Sequence, residues 1–291
     1  MTTAQRGIGR RLAWQSLLLI VLATHAEAGT LNAGDILIPI VGGIERFSNA
    51  GVDLGRFATV ETFRDIAIDA KQNVYVLSDQ QIQKFSHSGA LRLTTPIYGP
   101  PPARLAVGND GTMYVTFGGR EIFRFSASGE ALGLFYMAAR TNAFLTAMVF
   151  GSDGNLYAAD EEGGRVLRVS PTGGDLGFLL FESHFGGMDL AADLRFGAIY
   201  VSNAEIGGVF KLSLDGSVLG GLGFHQCCKL AVDSEGNLYA SHGLGFDGDP
   251  AGLEKFAPDG TSLGVIMPQV GQFGVVPERR GGPQNQDDDE Q

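Results

Sequence analysis

The sequence predicts an all-β protein, a six-bladed β-propeller of four-stranded antiparallel blades. Three observations carry that prediction. Five segments of the chain align with one another, and their tyrosines (Tyr75, Tyr114, Tyr157, Tyr200 and Tyr239) recur at intervals of 39 to 43 residues. Within each segment short apolar runs alternate with Gly- and Asp-rich turns, as in "LAVDSEGNLYASH", which is the pattern of consecutive hairpins. A unit near 40 residues that holds four strands is a propeller blade. An open solenoid usually has shorter repeats and needs distinct end caps.

The elements follow in chain order. Residues 1–28 read as an export leader: Arg6, Arg10 and Arg11, then the apolar run "LAWQSLLLIVLAT", then "AEA" before Gly29. The apolar run is interrupted by Gln15 and is too short to span a bilayer well, so no stable membrane anchor is expected after its removal. Residues 29–33 form a short lead-in. A partial copy, "GDILIPIVGGIERFSNAGVDLGRF", starts at Gly34 and has no innermost strand ahead of it. The five full copies follow. "GQFGVV", Gly271 to Val276, is a strand without a blade, and is expected to supply the missing inner strand and close the ring. Closure removes a long unpaired edge. The propeller thus spans 34–276, and 277–291 ("PERRGGPQNQDDDEQ") reads as a disordered acidic tail.

Composition limits the partners. The formal charge is −11, and the longest basic run after the leader is Arg279-Arg280. Nucleic acid would require a basic stripe, and none is present. A leader directs the chain to the periplasm or the exterior, where a cysteine pair can stay oxidised. The expected state is a monomer binding a small molecule or an extracytoplasmic protein.

"DGNLYAADEEGGRVLRVSPTGGDLG", Asp153 to Gly177, and "SEGNLYASH" of the last copy resemble NHL repeats. The resemblance runs through residues 34–276 and implies the propeller. It also makes the chain distantly similar to the gluconolactonase/senescence-marker lactonases, six-bladed enzymes that hold a divalent metal, usually calcium, at the mouth of the channel. That resemblance implies three ligands: a Glu before the first inner strand, an Asn in an N-G entry to a middle blade, and an Asp in a D-G entry to a later one. Here the Asp position falls on Cys228-Lys229. The Asn position falls on Thr146-Ala147 or Gly187-Met188, and "GQFGVV" has Gln272 but no Glu ahead of it. The metal ligands of that family are absent.

Two rings of positions are expected to meet at the channel mouth. One is the start of each inner strand: Arg64-Asp65, Ala103-Arg104, Ala147, Gly187 and Cys228-Lys229. The other is the end of each second strand: Ile40, Asp79, Phe117, Asp160, Asn203 and His242. From these, Arg64, Asp79, Arg104, Phe117, Asp160, Asn203, Cys228 and His242 are the expected ligand-binding residues. Asp79, Asp160 and Asn203 offer the oxygen donors calcium prefers, and Asp160 with His242 would then be acid and base. The alternative role for Asp79 and Asp160 is to tie the following turn through the carboxylate. No G-x-S-x-G elbow, H-E-x-x-H or phosphate loop is present.

Cys227 and Cys228 are the only cysteines and are adjacent. Their Cα atoms lie about 3.8 Å apart across a trans peptide, shorter than the usual disulfide span of about 4.4–6.8 Å. Two states stay open: a vicinal disulfide in a distorted turn, or two reduced thiols. The functional expectation is an exported NHL-like scaffold that binds through its channel-mouth face without a cofactor. A calcium-dependent lactonase, hydrolase or lyase at the same face is the alternative.

Overall fold

A computed structural model describes residues 20–22, 31–32, 34–40, 42–180, 189–203, 208–223, 227–242 and 252–268. They form six four-stranded antiparallel sheets, each paired in sequence order. Blade 1 is β1 (Ile20–Leu22), β2 (Asp35–Ile40), β3 (Gly43–Phe47) and β4 (Asp53–Ala58). Blade 2 is β5 (Asp65–Ile68), β6 (Val74–Leu77), β7 (Gln81–Phe85) and β8 (Leu91–Pro96). Blade 3 is β9 (Arg104–Val107), β10 (Met113–Thr116), β11 (Glu121–Phe125) and β12 (Ala131–Met137). Blade 4 is β13 (Leu145–Phe150), β14 (Leu156–Asp160), β15 (Arg165–Val169) and β16 (Asp175–Leu180). Blade 5 is β17 (Leu190–Asp193), β18 (Ala198–Asn203), β19 (Gly208–Ser213) and β20 (Val218–Gly223). Blade 6 is β21 (Cys227–Val232), β22 (Leu238–His242), β23 (Gly252–Phe256) and β24 (Ser262–Pro268). The inner strands β1, β5, β9, β13, β17 and β21 each touch the next around a closed ring. The predicted all-β, six-bladed architecture is the observed one.

The ring closes differently from the sequence expectation. The inner slot of blade 1 holds β1, paired antiparallel with β2 from Ile20↔Leu37 to Leu22↔Asp35 and lying against β5 and β21. The C-terminal strand expected there, 271–276, lies outside the described residues. An aliphatic run with this flanking sequence reads as a leader. Yet the unpaired N–H and C=O groups along β2 accept any apolar strand that reaches them. The lead-in also belongs to the core: Leu31 is fully buried among Leu37, Ile44, Val60 and Ile66.

Each blade interface is an apolar layer of alternating strand residues. Between blades 4 and 5, Tyr157, Ala159, Val166, Leu190, Ile199 and Val201 pack together. Three of the tyrosines that mark the repeat, Tyr75, Tyr157 and Tyr239, hold the turns far from the mouth. Asp69 accepts from the backbone N–H groups of Lys71 and Asn73, each at 2.9 Å, and from the hydroxyl of Tyr75 at 3.0 Å. Asp233 does the same for Glu235, Asn237 and Tyr239, the last at 3.2 Å. Lys84 and Lys255 stand opposite these tyrosines in register and lie over their rings at 4.9 Å. Lys211 sits likewise over Tyr200 at 5.0 Å and pairs with Asp193 at 3.2 Å. In blades 2, 5 and 6 the cation of the third strand is therefore an internal fixture of the blade.

The rim has a second repeated device. In blades 1, 3, 4, 5 and 6 the outer strand carries a bulge at a Leu-Gly pair: Leu54-Gly55, Leu132-Gly133, Leu176-Gly177, Leu219-Gly220 and Leu263-Gly264. Gly55, Gly133, Gly177 and Gly264 have φ between 84° and 96°. Added Cβ atoms there would meet nothing, so the left-handed backbone, and not space, calls for glycine. The bulged leucines are exposed.

Candidate functional site

Antiparallel pairing brings the start of each inner strand against the end of its neighbour: Asp65↔Leu77, Arg104↔Thr116, Leu145↔Asp160 and Cys227↔His242. The two rings expected from the repeats thus share one face. They do different work on it.

The inner ring is a buried set of opposed charges. Asp65, Arg104, Ala147, Asp189 and Lys229 hold the same place in successive aligned repeats. Asp189 accepts from the Leu230 N–H at 2.9 Å and faces the Lys229 ammonium at 3.1 Å. Asp65 accepts from the Leu105 N–H at 2.7 Å. Each aspartate therefore grips the inner strand of the following blade. Arg104 donates to the Thr146 carbonyl of blade 4 and, at 2.8 Å, to the Ala103 carbonyl. Burial pushes the Asp65 carboxyl above its usual range; Arg104 and Lys229 oppose that shift, and Asp189 adds to it. One electrostatic neighbourhood therefore extends from blade 2 to blade 6. Register slips at the mouth ends of β13, between Leu145 and Ala147, and of β21, between Cys227 and Leu230. Such bulges re-aim side chains beside a site.

The outer ring is mixed. Asp160 is fully buried; it caps the 3-10 turn Glu161–Gly163, accepts from the N–H groups of Gly163 and Phe144 at 3.1 Å each, and pairs with Arg165 at 3.0 Å. That is the turn-tying role. Asp79 and Arg64 form an ion pair, half exposed at the carboxylate. Phe117 is half-buried and meets Phe123 edge-to-face at 5.4 Å. Asn203 is buried at the end of β18. The backbones of Cys228 and His242 lie in β21 and β22. The side chains of Cys227, Cys228 and His242, and with them the disulfide question, lie outside the described residues.

A calcium ion fits these donors poorly. Both oxygens of Asp160 are engaged by two N–H groups and a guanidinium, and Asp79 is engaged by Arg64. Among the described residues, no three His, Cys, Asp or Glu side chains gather as a cation would need.

Sequence reasoning missed Asp189 and the exposed aromatic residues of the blade 3 loops. Asp189 stands in the column of Asp65, so the repeat alignment held the signal. Tyr98 is 88 % exposed in the loop before β9, beside exposed Pro100 and Pro101. Phe144, 41 % exposed, directly precedes β13, and its ring lies over Gly118. Phe117 approaches Gly99 of the Tyr98 loop. These contacts place Tyr98, Phe117 and Phe144 on adjoining loops at the mouth end of blade 3, an aromatic grouping. No sequence periodicity announces it, because its residues sit in loops that differ from blade to blade.

No family model matches the chain, and no curated protein is similar to it in sequence. Solved structures are similar in fold. A streptogramin B lyase aligns with TM-score 0.62 and 14 % identity, over 86 % of this chain and 82 % of that one. A chain of a nidogen/laminin complex aligns with TM-score 0.65 and 17 % identity, over 82 % and 96 %. A protein of unknown function from Bacteroides caccae aligns with TM-score 0.61 and 14 % identity, over 80 % and 92 %. At these identities the likeness supports the fold alone and leaves the chemistry to the residues at the mouth.

Proposed function

We propose that this chain is an exported, NHL-like propeller that binds a small ligand or an extracytoplasmic protein through its channel-mouth face. One observation carries the reading. The charges described at the mouth are paired within the protein, whereas the aromatic residues Tyr98 and Phe144 are left exposed. Exposed aromatic side chains flanked by arginine are the residue types that dominate binding hot spots; Arg120 lies on the loop of Phe117 and Arg140 on the loop of Phe144. The solved neighbours include both lyases and a chain from a protein complex, so the fold accommodates either class.

The competing reading is a calcium-dependent hydrolase or lyase, in which Asp79 and Asp160 exchange their present partners for a cation. Native mass spectrometry of the protein from the exported fraction separates the two. Binding predicts an adduct or partner that is lost in a Tyr98→Ala, Phe144→Ala variant whose circular dichroism is unchanged. Bound calcium, with ester or lactone turnover abolished by chelation, would overturn the scaffold reading.

A further inference from the structure

A crevice of about 630 Å³ opens between blades 5 and 6, at the end of the ring away from the mouth. Phe196, Tyr200, Lys211, Gly220, Leu222 and Pro258 line it. Its volume falls within the roughly 300–1,000 Å³ of small-molecule sites. Blade 5 departs from the other blades at two places around this crevice.

The first is the turn between the inner and second strands. Blades 2, 3, 4 and 6 place Gln72, Gly111, Gly154 and Gly236 there, all with left-handed φ. In blade 5 the left-handed residue is Gly197, one position later, which frees the preceding position for Phe196. Phe196 is 54 % exposed, lies 5.6 Å from the Lys211 ammonium and reaches Gly236 of blade 6.

The second is the outer strand. Gly220 stands opposite Lys211. Its counterparts Gly55, Gly133, Gly177 and Gly264 have left-handed φ, and Gly220 does not. A Cβ at Gly220 would meet nothing within 4 Å. Neither backbone conformation nor packing therefore calls for glycine here. Blade 2 shows what a side chain does at this place. Leu93, opposite Lys84, comes up to Gly129 on the third turn of blade 3. Gly260 is the counterpart of Gly129 on blade 6, and it lines the crevice because no such side chain reaches it. Glycine inside a strand costs conformational entropy, and it often marks a place where a ligand comes close.

The walls suit an uncharged ring. Phe196 and Tyr200 supply aromatic surface, Leu222 and Pro258 supply apolar contacts, and Gly220 supplies bare backbone. The Lys211 ammonium is already matched by Asp193 and by the Pro258 carbonyl, each at 3.2 Å. That leaves no unmatched charge to draw an anion. We propose that this crevice binds a small uncharged aromatic molecule, its ring held between Phe196 and the backbone at Gly220. The site is separate from the mouth face and does not depend on it.

The test is a titration of the full chain with indole, read by saturation-transfer NMR and by the backbone amide shifts of Gly220 and Gly260. Indole is expected to bind with a Kd of about 1 mM or below and to move those two amides. Gly220→Leu copies the filler of blade 2. It is expected to melt within about 2 °C of the parent and to bind indole about tenfold more weakly. Phe196→Ala removes one wall and leaves the strand untouched, and is expected to weaken binding about fivefold. Tyr98→Ala with Phe144→Ala is expected to bind indole as the parent does, which keeps this site apart from the mouth reading. No binding of indole, shifts confined to amides of the mouth, or benzoate binding more tightly than indole would each overturn the proposal. So would undiminished binding in Gly220→Leu. Should leucine at 220 disturb the fold, undiminished binding in Phe196→Ala overturns the site by itself.

Discussion

The two ends of the blades contrast sharply. At the turn end, blades 2 and 6 repeat one cluster: Asp69 with Tyr75 and Lys84, and Asp233 with Tyr239 and Lys255. At the mouth end, the aligned column reads Asp65, Arg104, Ala147, Asp189 and Lys229, and the loops around it differ from blade to blade. Repetition marks the parts that build a blade. Departure from it marks the parts that distinguish this ring from others of the same fold.

The largest expected effect is at the mouth. Asp189→Ala leaves the Lys229 ammonium buried without its carboxylate and frees the Leu230 N–H. The expected loss is about 3–5 kcal/mol in chemical unfolding. Asp189→Leu combined with Lys229→Met removes both charges and is expected to recover most of it. A double variant no better than the single one would mean that the pair is not what holds blades 5 and 6 together there.

The second prediction concerns the turn end. Asp233→Ala removes the acceptor of two backbone N–H groups, the acceptor for the Tyr239 hydroxyl and the counter-ion of Lys255, and is expected to cost about 3 kcal/mol. Asp69→Ala meets the same geometry in blade 2 and is expected to cost the same within about 0.5 kcal/mol. Unequal losses in urea titrations would break the claim that these clusters are interchangeable.

The smallest effect sharpens the contrast through pH. The folded Asp65 carboxyl is held above its ordinary value, chiefly by burial. It therefore takes up a proton more readily folded than unfolded. The stability this contributes is present at low pH and fades as pH rises from the unfolded value through the folded one. Asp65→Asn keeps an acceptor for the Leu105 N–H and lacks the titration. The melting temperature of the variant relative to the parent is expected to climb across that window and then level. A flat difference would show that Asp65 is charged at no cost in the fold.

The fold was legible because its determinants repeat. The tyrosines fixed the register, the Gly/Asp turns fixed the hairpins, and the six sheets follow from them. Asp160 was legible in its bland role, since a buried carboxylate before "EEGG" caps the turn it precedes. The ring closure was not, because an aliphatic run such as "LLLIVLA" serves a leader and a strand equally well. Nor was the aromatic grouping, because Tyr98, Phe117 and Phe144 come onto one end of the ring only through the packing of three loops. The partnership of Asp189 with Lys229 lay between, visible as a column but not as a contact.

The Leu-Gly bulges on the rim have a consequence for how the molecule meets its surroundings. A bulged, twisted outer strand is a poor template for another sheet, and this wheel carries one with a Leu-Gly pair on five of its six spokes. Crowded copies are thus denied the easiest route to sticking side by side. What remains for recognition is the axle: two unlike ends, one made of interchangeable parts and one not, so that a partner can tell which way the wheel is facing.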